Sequence, residues 1–398
     1  MRVLHVNDYR ASGGCEVVVE MTMSLLQSRG IEVDLFTADE VKGHRRTPLS
    51  YIESSVCKKA LTERLAAYQP DAIHLHNFYH TLSPGILAVL ESYCKQHSAR
   101  TVMTAHDHHL LCPNSGMCHY QRGRMTPADA SRLASVAYLL TRRWDDRSIA
   151  HSLLKVLQHV WNYRLHKRRR VIDCVLCPSR YLKRMLDGLG MPTQLLPFPA
   201  PRPTSVPSKP DGLLRMVFSG RVEPEKGLAE FLESLPESFA GTLTIVGEGT
   251  ELDRCRDICT RRGIQERVEF VGLRPHDETM SIIGASHVLV LGSLCAENYP
   301  MSVLEALSLG TNVLVSNFGG TKEIVETSGV GFMFDPFDPE SVETSCNDVT
   351  ASFERGELNQ FDVSAFLAQR SEANYVAGLL SAYRGERVST QEKLGPAA

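Results

Sequence analysis

Long apolar runs are missing from this 398-residue sequence. No stretch approaches the roughly 18–20 consecutive apolar residues that a membrane-spanning helix needs, which argues against an integral membrane protein. The opening residues Met1-Arg2-Val3-Leu4-His5-Val6 run straight into a strand pattern. No basic region is followed there by a long apolar stretch, so no signal peptide is expected. An excess of one charge is missing too: 43 Lys and Arg stand against 46 Asp and Glu, a formal net charge of −3. That balance gives no global electrostatic case for nucleic-acid binding. A paired cysteine framework is also absent. The 11 cysteines are odd in number and scattered, and Cys174 and Cys177 sit inside the apolar run Val171–Cys177. Such thiols read as reduced core residues of a cytoplasmic chain.

The sequence is 43% hydrophobic and 22% charged, enough to build ordered cores. The length exceeds one ordinary core and suits two domains. Short apolar runs alternate with helical patterns: strand Val3–Asn7, helix Glu16–Arg29, strand Ile31–Thr37, strand Ala72–His76, helix Pro84–Gln96, strand Thr101–Ala105. This rhythm predicts parallel sheets covered on both faces. It fades into polar loop and short helix between Cys112 and Asp146, passes through a basic helical stretch ending in His166–Arg170, and resumes with strand Val171–Cys177 and helix Ser179–Leu189. Six prolines crowd Pro197–Asp211, which suits neither helix nor central strand and predicts a stiff hinge. Beyond it the rhythm restarts, from strand Leu214–Ser219 to helix Thr321–Thr327. A last helical pattern runs from Asp362 to Tyr383, before a tail expected to fray after Arg384. The expectation is an α/β chain: an amino-terminal domain over residues 1–205, a second over 206–360, and a segment 361–398 whose helix packs back on the first. In doubly wound sheets ligands bind outside the carboxyl ends of the strands, and two such domains imply a cleft.

Three features carry chemistry. Glu297-Asn298-Tyr299-Pro300-Met301-Ser302-Val303-Leu304-Glu305 follows strand Val288–Leu291 and enters a helix at Pro300. Carboxylates accept hydrogen bonds from sugar and ribose hydroxyls, and free N–H groups at a helix start attract diphosphate. By spacing alone, two such glutamates equally describe a solvated surface. Gly220-Arg221-Val222-Glu223-Pro224-Glu225-Lys226-Gly227 follows strand Leu214–Ser219. Two cations flanking a tight turn suit a diphosphate, one as a fork and one as a point charge; taken alone they also describe an ordinary βα loop. Gly13-Gly14-Cys15-Glu16 joins the first strand and helix, where glycine lets a ligand approach backbone. It lacks the third glycine of a dinucleotide fingerprint, which disfavours a nicotinamide oxidoreductase.

In this order and context the features resemble glycosyltransferase family 4, retaining enzymes of GT-B fold, most strongly from Leu214 to Pro336. Glu297 and Glu305 match the family's E-x7-E, and Arg221 and Lys226 match its diphosphate-binding pair. The resemblance implies two doubly wound, Rossmann-like domains facing an interdomain cleft, the first binding the acceptor and the second a nucleotide-sugar. It implies that Glu305 holds ribose hydroxyls. It implies that Glu297 contacts the donor sugar, helped by backbone N–H groups near Tyr299, Pro300, Met301 and Ser302. Arg221 and Lys226 would neutralise the leaving diphosphate. Gly247-Glu248-Gly249 would border the nucleobase, Gly14 the diphosphate and sugar, and His106 the donor sugar. The family's frequent glycine-containing turn is replaced by Asn298-Tyr299-Pro300, so the donor sugar stays open. The resemblance implies a nucleoside-diphosphate sugar as donor, UDP- or GDP-linked first, with no cofactor and no metal required. The acceptor is a glycan, a lipid-linked or a small molecule, in polysaccharide or other glycoconjugate synthesis. A catalytically silent nucleotide-sugar binder and a GT-B sugar epimerase are the alternatives.

Two further features point elsewhere. His74, His76, His80, His106, His108, His109 and His119, with Cys112 and Cys118, supply nitrogen and sulfur but no standard zinc spacing. Several of these side chains are expected to line the acceptor region. Arg164 and His166–Arg170 follow Trp161 and Tyr163, and basic residues interleaved with aromatics form either a solvated helix face or a peripheral contact with an anionic membrane.

Overall fold

A computed structural model describes residues 1–10, 13–203 and 205–386. The chain forms two compact units. The first is Met1–Phe198 together with the segment that starts at Glu372, and the second is Pro199–Ser371. The first division falls inside the proline-rich stretch. The tail expected to fray lies, from residue 387 on, outside the described residues.

The first unit is built on a parallel sheet of β1 (Arg2–Asn7), β2 (Glu32–Thr37), β3 (Ala72–Leu75), β4 (Arg100–Thr104), β7 (Cys174–Cys177) and β8 (Thr193–Leu195). Its order is β2-β1-β3-β4-β7-β8. The winding reverses between β1 and β3, so their carboxyl ends form a switch point. Every residue of β3 is buried, as in a sheet covered on both faces. His74 is tolerated there because both ring nitrogens are bonded, Nδ1 to the Tyr383 hydroxyl at 2.7 Å and Nε2 to Thr104 Oγ1 at 2.8 Å. Tyr383 belongs to the helix Glu372–Arg384, which also bonds Tyr375 to Thr22 on the helix Gly14–Gln27 at 2.9 Å.

The stretch read as loop between Cys112 and Asp146 contains an antiparallel hairpin, β5 (Cys118–Gln121) and β6 (Arg124–Pro127). Arg122 and Gly123 turn it with positive φ of 52° and 78°, the pattern of a type I′ turn. The basic helical stretch is broken. A helix Ile149–His159 widens to a π turn over Val160–Leu165, and the chain tightens to 3₁₀ at Arg168–Val171. The run His166–Arg170 is therefore not one uniform face. Arg168 turns inward to Glu53, at 3.1 Å, and to Asn162, while Arg169 covers the Tyr163 ring.

The second unit repeats the plan with β9 (Arg215–Ser219), β10 (Thr242–Val246), β11 (Val268–Gly272), β12 (Val288–Leu291), β13 (Asn312–Ser316) and β14 (Phe332–Phe334). The order is β11-β10-β9-β12-β13-β14, all parallel, which puts a switch point at the ends of β9 and β12. The single helix expected over Asp362–Tyr383 is two, Ser364–Gln369 and Glu372–Arg384. Arg370 interrupts them: its guanidinium stacks on Phe366 and bonds the Tyr299 hydroxyl. The helix Pro339–Glu354 is an addition to the expected elements, started by Asp338 as cap and Pro339 in its first turn.

Tyr383→Phe removes one partner of the buried His74 ring. The expected cost is about 1–3 kcal/mol, because the nitrogen keeps its desolvation without its bond. Urea unfolding should show a lower midpoint at unchanged slope.

Candidate active site

The residues after β9 and β12 meet at the second unit's switch point. Lys226 Nζ lies 2.6 Å from Glu297 Oε1, and Ser293 donates its hydroxyl to the same oxygen at 2.6 Å. The two loops are stitched by backbone: Leu294 N–H donates to Glu225 C=O at 2.9 Å. Gly227 caps the Lys226 turn with φ +63°, and a Cβ there would fall 2.0 Å from the Gly292 carbonyl. Only glycine combines that backbone angle with that approach. A second glycine socket lies under Glu297 itself. Gly320 N–H donates to the Glu297 carbonyl at 2.6 Å, and a Cβ on Gly320 would meet the Asn298 carbonyl at 1.6 Å. Asn317-Phe318-Gly319-Gly320 went unread in the sequence; its double glycine before a helix was the available signal.

Electrostatics follow from this packing. Burial alone would raise the Glu297 carboxyl, but the Lys226 ammonium outweighs it and holds the acid below the ordinary carboxylate range. Burial alone would lower Lys226, and Glu297 reverses that, so the amine stays protonated. Arg221 is mostly exposed and ion-paired to Glu225 at 2.8 Å. It lies near enough to help lower Glu297, without touching it. Glu305 sits in the helix Met301–Ser308 and forms no hydrogen bond or ion pair through its carboxylate among the described residues. Burial pushes its acid above the ordinary range, with His276 acting in the opposite direction. The structure thus joins Lys226 to Glu297, places Arg221 beside them, and leaves Glu305 as a separate half-buried acceptor.

Pro300 caps the Met301–Ser308 helix, so the N–H groups of Met301 and Ser302 are first-turn donors without helical acceptors. Tyr299 is different: its ring is buried and its hydroxyl is taken by Arg370. Gly247, at φ +139°, is fixed by strand-loop packing. A Cβ would lie 1.9 Å from the Gly220 carbonyl, and Val222 N–H bonds the Glu248 carbonyl alongside at 2.8 Å.

In the first unit, Gly14 begins the helix Gly14–Gln27 after β1, with open space where a Cβ would stand. The loop is tied by Asn7, whose amide donates to Glu16 Oε1 at 2.9 Å. At the neighbouring strand end the Asp8 carboxylate accepts the backbone N–H groups of His80, Thr81 and Leu82 at 2.8–2.9 Å. His106 follows β4. Its Nε2 is 2.9 Å from His76 Nδ1, whose other nitrogen is 3.0 Å from His5 Nδ1. Burial lowers His106 to about 4, so the imidazole is neutral at pH 7.

Of the other histidines expected in the lining of the acceptor region, most are withdrawn from solvent. His74, His108, His109 and His119 are all buried. His109 bonds Asp107 at 2.9 Å and Tyr79 donates to the same carboxylate. His5, His74 and His76 bring nitrogens within 4.8 Å of one another, a spacing that could hold a metal ion. Both nitrogens of His74 and of His76 are already committed to neighbours, however, and only His5 Nε2 is left over. His5 and His76 belong to a hydrogen-bonded chain that ends at His106, and His74 bonds Tyr383 and Thr104 instead, so the three do not form an open ligand cage.

Residues 12–197 match the family described as Glycosyltransferase Family 4, and residues 205–354 match Glycosyl transferases group 1. Glycogen synthase of Mycobacterium tuberculosis is 30% identical over 207 residues, 50% of this chain and 48% of that protein. The chain spans about half or less of the length of the curated relatives it matches. Among solved structures, sucrose-phosphate synthase from Thermosynechococcus elongatus superposes with a TM-score of 0.71 at 17% identity, covering 96% of this chain and 98% of that one. Anabaena HepE, solved with UDP and glucose, superposes at 0.63 and 17% identity, covering 96% and 100%. The fold is GT-B.

Glu305→Gln keeps the shape and removes a half-buried carboxyl that burial pushes above its ordinary range. Because the folded carboxyl titrates above its unfolded value, its favourable contribution is complete below the unfolded pKa and is lost as pH rises through the folded one. Thermal melts should therefore show the variant more stable than the parent at neutral pH, with the gap closing in acid. Calorimetry should show nucleoside-diphosphate binding weakened about tenfold, the worth of a charge-assisted hydrogen bond.

Proposed function

The chain belongs to glycosyltransferase family 4 of the group 1 glycosyl transferases, and from that premise we propose that it transfers a sugar from a nucleoside-diphosphate sugar to an acceptor with retention of anomeric configuration. The observation that carries this reading is the Lys226–Glu297 pair at the switch point of the second sheet. An ammonium held protonated in a mostly buried site is a fixed positive charge. Its strength against a developing diphosphate is greater there than in water. In this reading the bond from the sugar's anomeric carbon to the diphosphate breaks, and the growing charge on the leaving group is met by Lys226 and Arg221. The first-turn N–H groups of Met301 and Ser302 add dipoles for the same anion. Glu305, whose carboxylate forms no hydrogen bond or ion pair among the described residues, accepts the ribose hydroxyls, and Glu297 contacts the donor sugar while keeping Lys226 in place.

The second unit would thus hold the nucleotide-sugar and the first the acceptor, with Gly14 and His106 nearest the donor sugar. His106 is neutral, and its Nε2 is engaged by His76, so Nδ1 is the nitrogen it offers. No metal or cofactor enters this reading, since the two cations supply the charge that a divalent ion would bring. UDP and UDP-glucose are the first donors to test, because HepE was solved with UDP and glucose; GDP-sugars follow. A glycan, a lipid-linked sugar or a small molecule would serve as acceptor, in polysaccharide or other glycoconjugate synthesis. None of the eleven cysteines forms a disulfide, which suits a reducing compartment.

Lys226→Ala should lower kcat by about 10²–10³, comparable to losing one oxyanion donor. Arg221→Ala, more exposed, should cost less. Turnover of UDP- and GDP-sugars across an acceptor panel checks this, with the product anomer read by NMR. Near-parent turnover in Lys226→Ala removes the site assignment. Tight nucleotide binding by the parent without any turnover would identify a silent binder, and an inverted product anomer would remove retention.

A further inference from the structure

The segment from Arg132 to Arg170 holds ten arginines and lysines against two aspartates, in a chain of net charge −3. It also holds the largest concentration of exposed apolar side chains. Among the described residues, sixteen large hydrophobic side chains are exposed, and seven of them fall between Val136 and Leu165. They are not scattered. Ile149 is 70% exposed, Leu153 49%, Leu157 51%, Trp161 37% and Leu165 64%, one every fourth residue along the helix Ile149–His159 and the π turn that continues it. Val136 and Leu140 extend the patch from the short helix Val136–Leu140 packed alongside. The opposite side of the main helix is buried through Ser152, Val156, Gln158 and His159. Its solvent side therefore carries the apolar stripe, inverting the usual arrangement of a surface helix.

Scattered single apolar residues on a surface need no explanation, but a continuous stripe does. The charge around this one indicates what covers it. Arg132, Arg147, Lys167 and Arg170 are exposed, and Arg142, Arg143 and Arg164 are half-buried, with Asp146 the only exposed acid of the segment. The helix also borders a cavity of about 320 Å³, whose walls include Arg46, Arg147, His151 and Lys155 and no carboxylate. Buried Asp145 pairs with both Arg147 and Lys155 beneath it. A protein partner built to match the stripe would have to supply many acidic groups around an apolar centre. A bilayer with anionic headgroups supplies both at once: acyl chain boundary for leucine and tryptophan, phosphate for arginine and lysine.

We propose that the Val136–Leu165 face is an interfacial membrane anchor, seated on an anionic lipid surface with its stripe at the headgroup–acyl boundary. No helix of the described residues is long and apolar enough to cross a membrane, so the contact is peripheral. The anchoring is a property of the first unit and stands apart from the transfer chemistry. It is read without donor or acceptor, so the two can fail separately.

The full chain is mixed with vesicles of equal phosphatidylglycerol and phosphatidylcholine, and with vesicles of phosphatidylcholine alone, and co-sedimentation is measured. Partition into the anionic vesicles is expected to fall steeply between low and 0.5 M salt, on the order of the loss of several surface cations. Trp161 emission should shift to the blue on binding, while Trp144, already buried, does not respond. Leu153→Glu with Leu157→Glu should reduce partition at least tenfold, the worth of withdrawing two leucines from the boundary. Both sites are about half exposed, so the melting temperature should hold. Lys167→Ala with Arg170→Ala should each weaken binding about fivefold. A parent that does not partition, a partition indifferent to lipid charge, or a glutamate variant that binds like the parent each overturns the proposal. A parent dimer that the glutamate variant dissociates assigns the stripe to a second copy of the chain, and overturns it too.

Discussion

Lys226 Nζ and Glu297 Oε1 lie 2.6 Å apart at the carboxyl edge of the second sheet, and most of the site geometry exists to keep them there. Two charges withdrawn from water are costly unless each has the other and the remaining lone pairs are bonded. Ser293 occupies one further position on the carboxylate, and the Leu294–Glu225 backbone bond fixes the separation of the two loops. The glycines follow from the same requirement. Gly227 and Gly320 are where one loop backbone passes so close to the next that a methyl group would collide with a carbonyl. Burial alone would lower the Lys226 pKa; paired with Glu297, the ammonium stays charged. Glu305 shows the opposite solution, a half-buried carboxylate with no hydrogen bond or ion pair among the described residues, pushed above the ordinary range by burial.

The first unit uses neutral groups where the second uses charges. His5, His74 and His76 are fully buried, and burial drives all three below their ordinary pKa, so none adds a charge to the interior. A neutral imidazole has one donor and one acceptor, and the hydrogen-bonded row His5–His76–His106 therefore has a direction. Fixing the proton on one ring fixes it on the next. His76 thereby determines which nitrogen of His106 carries hydrogen, and the tautomer at the edge of the unit depends on rings deep within it. Asp8 performs the structural equivalent for backbone, gathering three N–H groups at the end of β1 to hold the turn after β3.

The alternation of short apolar runs with helical patterns made the two parallel sheets legible, because a strand buried on both faces leaves a continuous apolar signature such as Val288–Leu291. The loops that bear Arg221, Lys226 and Glu297 were legible through their position after such strands. What escaped was whatever depends on partners distant in sequence. The helical pattern Asp362–Tyr383 breaks because Arg370 finds Tyr299, some seventy residues earlier. Several histidines read as lining of the acceptor region, and nothing local reveals that Tyr383, 309 residues away, satisfies His74. Arg168 was taken for a surface cation for the same reason, with Glu53 as its hidden partner.

The apolar stripe on the helix Ile149–His159 illustrates a further limit of periodicity. A sequence with leucine or isoleucine every third or fourth position marks one face of a helix, and the ordinary inference sends that face to the core. Here two faces compete. The inner one is held by Val156 packing and by polar anchors: Gln158 donates its amide to the Tyr51 and Tyr79 carbonyls, and Asn162 to the Ile52 carbonyl. Those bonds are directional and fix the rotation of the helix about its axis. With that rotation set, Ile149, Leu153 and Leu157 have no choice but the outside. Polar residues thus decide which way an apolar face points, and the energy of exposing that face is borne by hydrogen bonds that no hydropathy pattern records.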